Sequence, residues 1–159
     1  MAYTSAFGTI SATRIAGLVG LISISLSAPL LMGAAPTATI DVNLHGLRST
    51  KGNILICVTE DARHFPNCSD DPQAHKLKVA TVKAEHMTFT DIATGDYAVA
   101  LIHDENGNGK LDVAGIIPSE GVGFSRNPRL FFSAPKFKSA DFAVTSGTVT
   151  EDIKMKYFL

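Results

Sequence analysis

Asp104, Asn106, Asn108 and Asp112 occupy places one, three, five and nine of a loop whose sixth residue is Gly109. Oxygen-bearing side chains at that spacing, around a glycine that permits a sharp turn, are the donors a hard cation such as calcium takes. Lys110, at place seven, would add its backbone carbonyl. Place twelve, where a helix-flanked calcium loop carries a bidentate glutamate, is Gly115, and Glu120 would supply the missing carboxylate only if residues 115–118 double back. With so few charged donors the expected affinity is weak, roughly 10⁻⁴–10⁻³ M. Asn-Gly-Asn-Gly also makes a tight turn unaided, because asparagine and glycine tolerate positive φ and asparagine side chains bond their own backbone. A metal-free turn therefore stands beside the calcium reading.

His103, Glu120 and Ser125 present a second chemistry: a base, an orienting carboxylate and a nucleophile, as in a hydrolase. No Gly-x-Ser-x-Gly elbow surrounds Ser125, and no His-Glu-x-x-His is present. The expectation is no catalysis. His45, His64, His75 and His86 are scattered without metal-ligand spacing and are expected at the surface, with Asp70 and Asp71 in a solvated turn.

The elements that must carry these residues follow a period of two. Ile40, Val42 and Leu44 alternate with Asp41, Asn43 and His45, and Met87 and Phe89 with Thr88 and Thr90. Val149, Ile153, Met155 and Tyr157 share one face of a last strand. Residues 97–103 are apolar on both faces, as in a covered central strand that delivers His103 and Asp104 to the loop. Glycine-bearing turns separate short runs, and no convincing amphipathic helix follows residue 36. These signals predict an all-β fold, a single antiparallel two-sheet sandwich of about seven strands of the immunoglobulin-like or transthyretin-like kind. Residues 60–75 and 104–129 are expected as long loops, each pinned by a bridge or an ion.

Ahead of this domain, Arg14 precedes an acid-free apolar run, Ile15 to Met32, ending in Gly33-Ala34-Ala35. That is the pattern of a secretory signal, so residues 1–35 are expected as a signal peptide and residues 36–159 as one β-sandwich domain, periplasmic or secreted and not membrane-embedded after cleavage. Cleavage removes one arginine and no acid, leaving 13 of the 14 basic residues against 15 acidic ones. A near-neutral balance does not point to nucleic acid. In an oxidising compartment, Cys57 and Cys68 are expected to form a disulfide, since the spacing lacks the C-x-x-C of a redox or metal pair.

Residues 124–138 interleave Arg126, Arg129, Lys136 and Lys138 with Phe124, Phe131, Phe132 and Phe137. Such a stretch suits a polyanion groove, although Leu130, Phe132 and Phe137 facing a core beneath a solvated basic edge is the preferred reading. An envelope polysaccharide or protein is the partner that edge would admit. Chain length leaves the oligomeric state open.

The runs GDYAVALIHDENGNGKLD (residues 95–112) and GIIPSEGVGFSRN (residues 115–127) resemble the bacterial domain-of-unknown-function family 2141, a likeness extending over nearly all of the expected mature chain. That family is similar in organisation to exported transthyretin-like and carboxypeptidase-regulatory-like sandwiches. The resemblance implies the same fold and no established activity. Its motif usually has a longer spacer after the aspartate, so the short link from Asp112 to Gly115 puts the placement of Glu120 in question. The combined expectation is an exported binding or structural module of the bacterial envelope with a weak calcium-type loop.

Overall fold

The structure, a computed structural model, describes residues 37–131 and 133–159. The expected signal peptide and Phe132 lie outside the described residues. Among the described residues ten strands follow one another: β1 (Thr37–His45), β2 (Asn53–Thr59), β3 (His75–Ala80), β4 (His86–Ala93), β5 (Gly95–Asp104), β6 (Val113–Ala114), β7 (Ile117–Pro118), β8 (Gly121–Phe124), β9 (Phe142–Val144) and β10 (Gly147–Lys154). They form a three-stranded sheet ordered β10-β1-β4, a larger sheet ordered β3-β2-β5-β8 with β9 paired to the start of β5, and a small β6-β7 hairpin. The protein is all-β, as the periodicity predicts. Among the described residues no helix is long and apolar enough to cross a membrane.

Alternation decides which side chains meet. Ile40, Val42 and Leu44 of β1 and Met87, Phe89 and Ile92 of β4 are buried, while on the opposite face His86 bonds Asn43 and the Thr88 hydroxyl donates to Asp41. Ile54, Ile56 and Val58 of β2 and Val99 and Leu101 of β5 join them in one hydrophobic core drawn from both sheets. The outward residues of β5 form a second, smaller cluster, in which Ala100, Val122 and Phe124 are packed by Phe65, Leu111 and Leu130. That is why residues 97–103 are apolar on both faces.

Three details differ from the sequence expectation. First, β1 and β10 run parallel, so the strands are not all antiparallel. Second, residues 104–129 are not one long loop, because β8 lies antiparallel on β5, with Ala100 opposite Phe124 and His103 opposite Gly121. Its glycines hide the strand signal. After β10 the chain crosses to this sheet, where Lys156 bridges Val122, and side chains of the crossing segment press onto β8. A Cβ on Gly121 would lie 2.4 Å from Cε1 of Tyr157, and one on Gly123 would lie 2.9 Å from Sδ of Met155. Third, Asp71 is buried rather than solvated, accepting hydrogen bonds from the Thr59 hydroxyl and the Gln73 amide.

The loop between β2 and β3 is pinned by that carboxylate and by the Cys57–Cys68 disulfide, whose Cα atoms are 6.3 Å apart across a sequence separation of 11. Breaking it frees a loop of that length in the unfolded chain, a change of about 3 kcal/mol in the chain-entropy model. Chemical denaturation of the Cys57→Ala/Cys68→Ala variant is therefore expected to show a loss of about 2–3 kcal/mol. An unchanged midpoint would mean that Asp71 and local packing hold this loop unaided.

Candidate functional site: a clamped loop beside an apolar cleft

Asp104 ends β5, fully buried, and turns the chain into the loop. Its Oδ1 accepts from the Asn108 amide at 3.0 Å and its Oδ2 from the Gly109 amide at 2.9 Å. Asn106 Oδ1 accepts from the Asn108 amide and Asn108 Oδ1 from the Lys110 amide, each at 3.0 Å. The two asparagine Nδ2 groups converge on Asp112 Oδ2, at 2.6 and 2.8 Å. Gly107 and Gly109 have φ of 78° and 82°, which lets so much amide point inward. Gly52 has to be small as well, since a Cβ there would lie 2.0 Å from the Asp104 carbonyl oxygen.

Residues 113–118 do double back, because β6 and β7 pair Val113 with Pro118 and Ala114 with Ile117. Glu120 thereby reaches the loop base, and its two oxygens accept from the Glu105 and Asp112 amides, both at 3.1 Å. Ser119 closes the same base by donating its amide to the Asp112 carbonyl at 2.9 Å. Five of the six expected ligands, Asp104, Asn106, Asn108, Asp112 and Glu120, thus belong to one network, to which Lys110 contributes its amide. The carboxylates in it are matched to N–H donors. Among the described residues no group of three His, Cys, Asp or Glu side chains is arranged to hold a metal ion.

Arg48 ties this loop to the chain end. Its guanidinium donates to Glu105 Oε2 and to the Ser119 and Leu159 carbonyls, and it lies 4.5 Å from the Tyr157 ring centroid. The same guanidinium holds the Glu105 carboxyl below the usual carboxylate range. Burial pushes the Tyr157 phenol upward, and its hydroxyl bonds His103 Nδ1 at 2.7 Å.

His103, Glu120 and Ser125 are not assembled into one site. His103 Nε2 meets the Lys51 carbonyl at 2.9 Å, so both ring nitrogens are engaged. Ser125 is buried, donating to the Ala140 carbonyl and accepting from the Val99 amide. Val99 and His103 are four residues apart on β5, about 13 Å at the rise of an extended strand. His45 and His86 lie at the surface as expected, whereas His75 is half-buried at the start of β3 and His64 half-buried beside Asp61.

A feature that the motifs do not mark is a cleft of about 1180 Å³ on the outward face of the larger sheet. Cross-strand pairing builds its floor as two rows. One runs Lys78, Leu55, Ile102, Val122, and the other Lys76, Cys57, Ala100, Phe124. The β6-β7 hairpin and the chain around Leu130 and Phe131 rise beside this floor, with Phe158 near the chain end. Ile116 and Phe131 are 79% and 76% exposed, and Val113, Ile117 and Phe158 are exposed too. Large apolar side chains left in water by three separate segments therefore converge on one cleft. The signal available in the sequence was Val113, Ile116 and Ile117 inside a stretch otherwise read as loop.

Of the basic and aromatic stretch, neither Leu130 nor Phe137 enters the main core: Leu130 is half-buried against the outward cluster and lines the cleft, Phe137 is half-buried edge-on against Phe65, and Phe131 projects to the cleft. Arg126 and Lys138 both face Asp141. They do not form an open basic groove.

Residues 42–152 match the family described as "Uncharacterized protein conserved in bacteria (DUF2141)". The chain belongs to this family. No curated protein and no solved structure matches it.

Replacing Glu120 by Gln turns an amide nitrogen toward one of the two N–H groups the carboxylate now satisfies. A buried donor left unpaired costs about 1–3 kcal/mol. Thermal unfolding is expected to show that loss, and hydrogen exchange to speed up at Glu105 and Asp112. Unchanged exchange at both amides would remove Glu120 as the clamp.

Proposed function

We propose that this member of the DUF2141 family is an exported, non-catalytic binding module of the bacterial envelope, a two-layer sandwich of transthyretin-like kind, whose ligand seat is the apolar cleft on the outward face of β2, β5 and β8. The observation that carries the reading is the convergence of exposed Val113, Ile116, Ile117, Phe131 and Phe158 on that cleft. Scattered apolar residues on a surface call for no explanation, whereas apolar residues lining one concavity are the usual make-up of a ligand site. Export is supported by the signal-like run at residues 15–35 and by the disulfide. Absence of catalysis is supported by His103 and Ser125 being spent on structural bonds. The Asp104–Glu120 network then has a mechanical role, holding the base of the hairpin that forms one lip of the cleft.

A second reading, calcium in the loop formed by Asp104, Asn106, Asn108, Lys110 and Asp112 with Glu120, is favoured by the gathering of their polar groups in one network. Calcium would have to displace the asparagine Nδ2 groups from Asp112 and turn their carbonyl oxygens inward. Thermal unfolding at several millimolar calcium separates the readings. A ligand held only by the folded state raises the melting temperature. The loop as a self-satisfied clamp gives no calcium-dependent shift beyond that of matched magnesium, and a specific rise would install calcium as the loop's ligand.

The cleft itself is tested with Ile116→Asp and Phe131→Asp, chosen because both side chains are solvent-exposed and their loss spares the core. The protein is expected to bind an environment-sensitive apolar dye, and each variant to bind it about tenfold more weakly, the worth of one buried large aliphatic contact. Their melting temperatures should stay near the parent value. Dye binding that is absent in the parent, or equal in all three proteins, would overturn the proposal.

A further inference from the structure

We infer that the cleft takes an anionic single-chain amphiphile, an acyl or alkyl chain ending in a carboxylate or phosphate, bound as a free molecule. The inference rests on the cleft being a ligand seat and assigns the chemistry of its occupant. Each floor row is apolar over β2, β5 and β8 and ends on the edge strand β3 in a lysine, Lys78 in one row and Lys76 in the other. Lys110, from the clamped loop, is a third lysine among the lining residues. Among the described residues, these three lysines are the charged ones lining the cleft, and no acid lines it. One end of an oily floor is therefore cationic.

Lys76 and Lys110 are open to a ligand, while Lys78 is already ion-paired. Lys76 Nζ donates to the Ser69 carbonyl, which leaves its other N–H groups for a ligand. Lys78 Nζ forms a long ion pair with the buried Asp104 Oδ2 at 3.9 Å, an oxygen that also accepts a backbone amide, so it adds positive charge at the β3 end while remaining half-exposed. Four strands at sheet spacing give each row a width of about 14 Å, long enough to seat an extended chain with its head at β3. The hairpin and Phe131 make the floor a trough rather than a flat patch, which suits one narrow chain better than the face of a protein partner.

Calorimetric titration of the protein with dodecanoate, dodecyl phosphate, dodecanol and dodecyltrimethylammonium, each below its micelle concentration, tests the assignment. The two anions are expected to bind one per chain and about tenfold more tightly than the alcohol, with the cation weakest, as two or three partly exposed ion pairs allow. The preference should shrink as salt rises, because exposed pairs are screened. In the Lys76→Gln/Lys110→Gln variant the ratio of anion to alcohol affinity should fall toward one. Equal affinity for dodecanoate and dodecanol, or a preference unchanged in the variant, overturns the anionic assignment while leaving the cleft as a seat. Binding only to anionic vesicles, or concentration-dependent dimerisation that Ile116→Asp abolishes, overturns the free-amphiphile proposal in favour of a lipid surface or a second copy. If no chain of any charge binds and the apolar dye is also refused, the cleft reading itself falls.

Discussion

The outward half of this protein depends on a buried carboxylate with two amide partners. Glu120 is 5% exposed, and its oxygens take the amides of Glu105, just past the end of β5, and of Asp112, just before β6. A carboxylate removed from water without donors would be strongly unfavourable, so folding of the loop and burial of the side chain require each other. Asp104 repeats the arrangement on the other side of the loop with the amides of Asn108 and Gly109. Between them these acids fix a loop that contains little apolar surface of its own. Arg48 extends the tie to Ser119, Glu105 and the last residue of the chain.

Fixing the loop has a consequence for the face beside it. The hairpin of β6 and β7 begins at the residue after Asp112 and ends two residues before Glu120, so the clamp holds both of its ends. Val113, Ile116 and Ile117 are thereby presented beside the floor formed by β2, β5 and β8 instead of collapsing into the core. The main core owes little to this arrangement, being filled from β1, β2, β4, β5 and β10. One chain thus combines an apolar interior with a second apolar surface left open, and the larger sheet, which gives one face to each, lies between the two.

Much of this was legible in the residues. The alternations in β1 and β4, the two-sided apolarity of β5 and the pairing of Cys57 with Cys68 follow from local spacing, whereas Asp104, Asn106 and Asn108 turn their oxygens to nearby backbone amides, as the tight-turn alternative has it. What stayed hidden depends on distant contacts. Gly121 and Gly123 read as loop because the reason for their lack of side chains is Tyr157 and Met155, more than thirty residues away. The parallel partnership of β1 with β10 joins the two ends of the domain and leaves no mark in either strand. Asp71 looked solvated beside Asp70, since only the fold brings the Thr59 hydroxyl to it. Likewise the cleft arises from cross-strand rows, and a register is not written in any single strand.

The central claim is that the outward face of the larger sheet, not its interior, is where this protein meets a ligand. Methyl-resolved NMR during titration with dodecanoate addresses it directly. The account predicts saturable shifts at Leu55, Ile102, Val122 and Ile116, with Ile40, Ile54 and Ile92 of the main core unmoved. Shifts confined to the core methyls, or no saturable shifts at the four cleft residues, would contradict it.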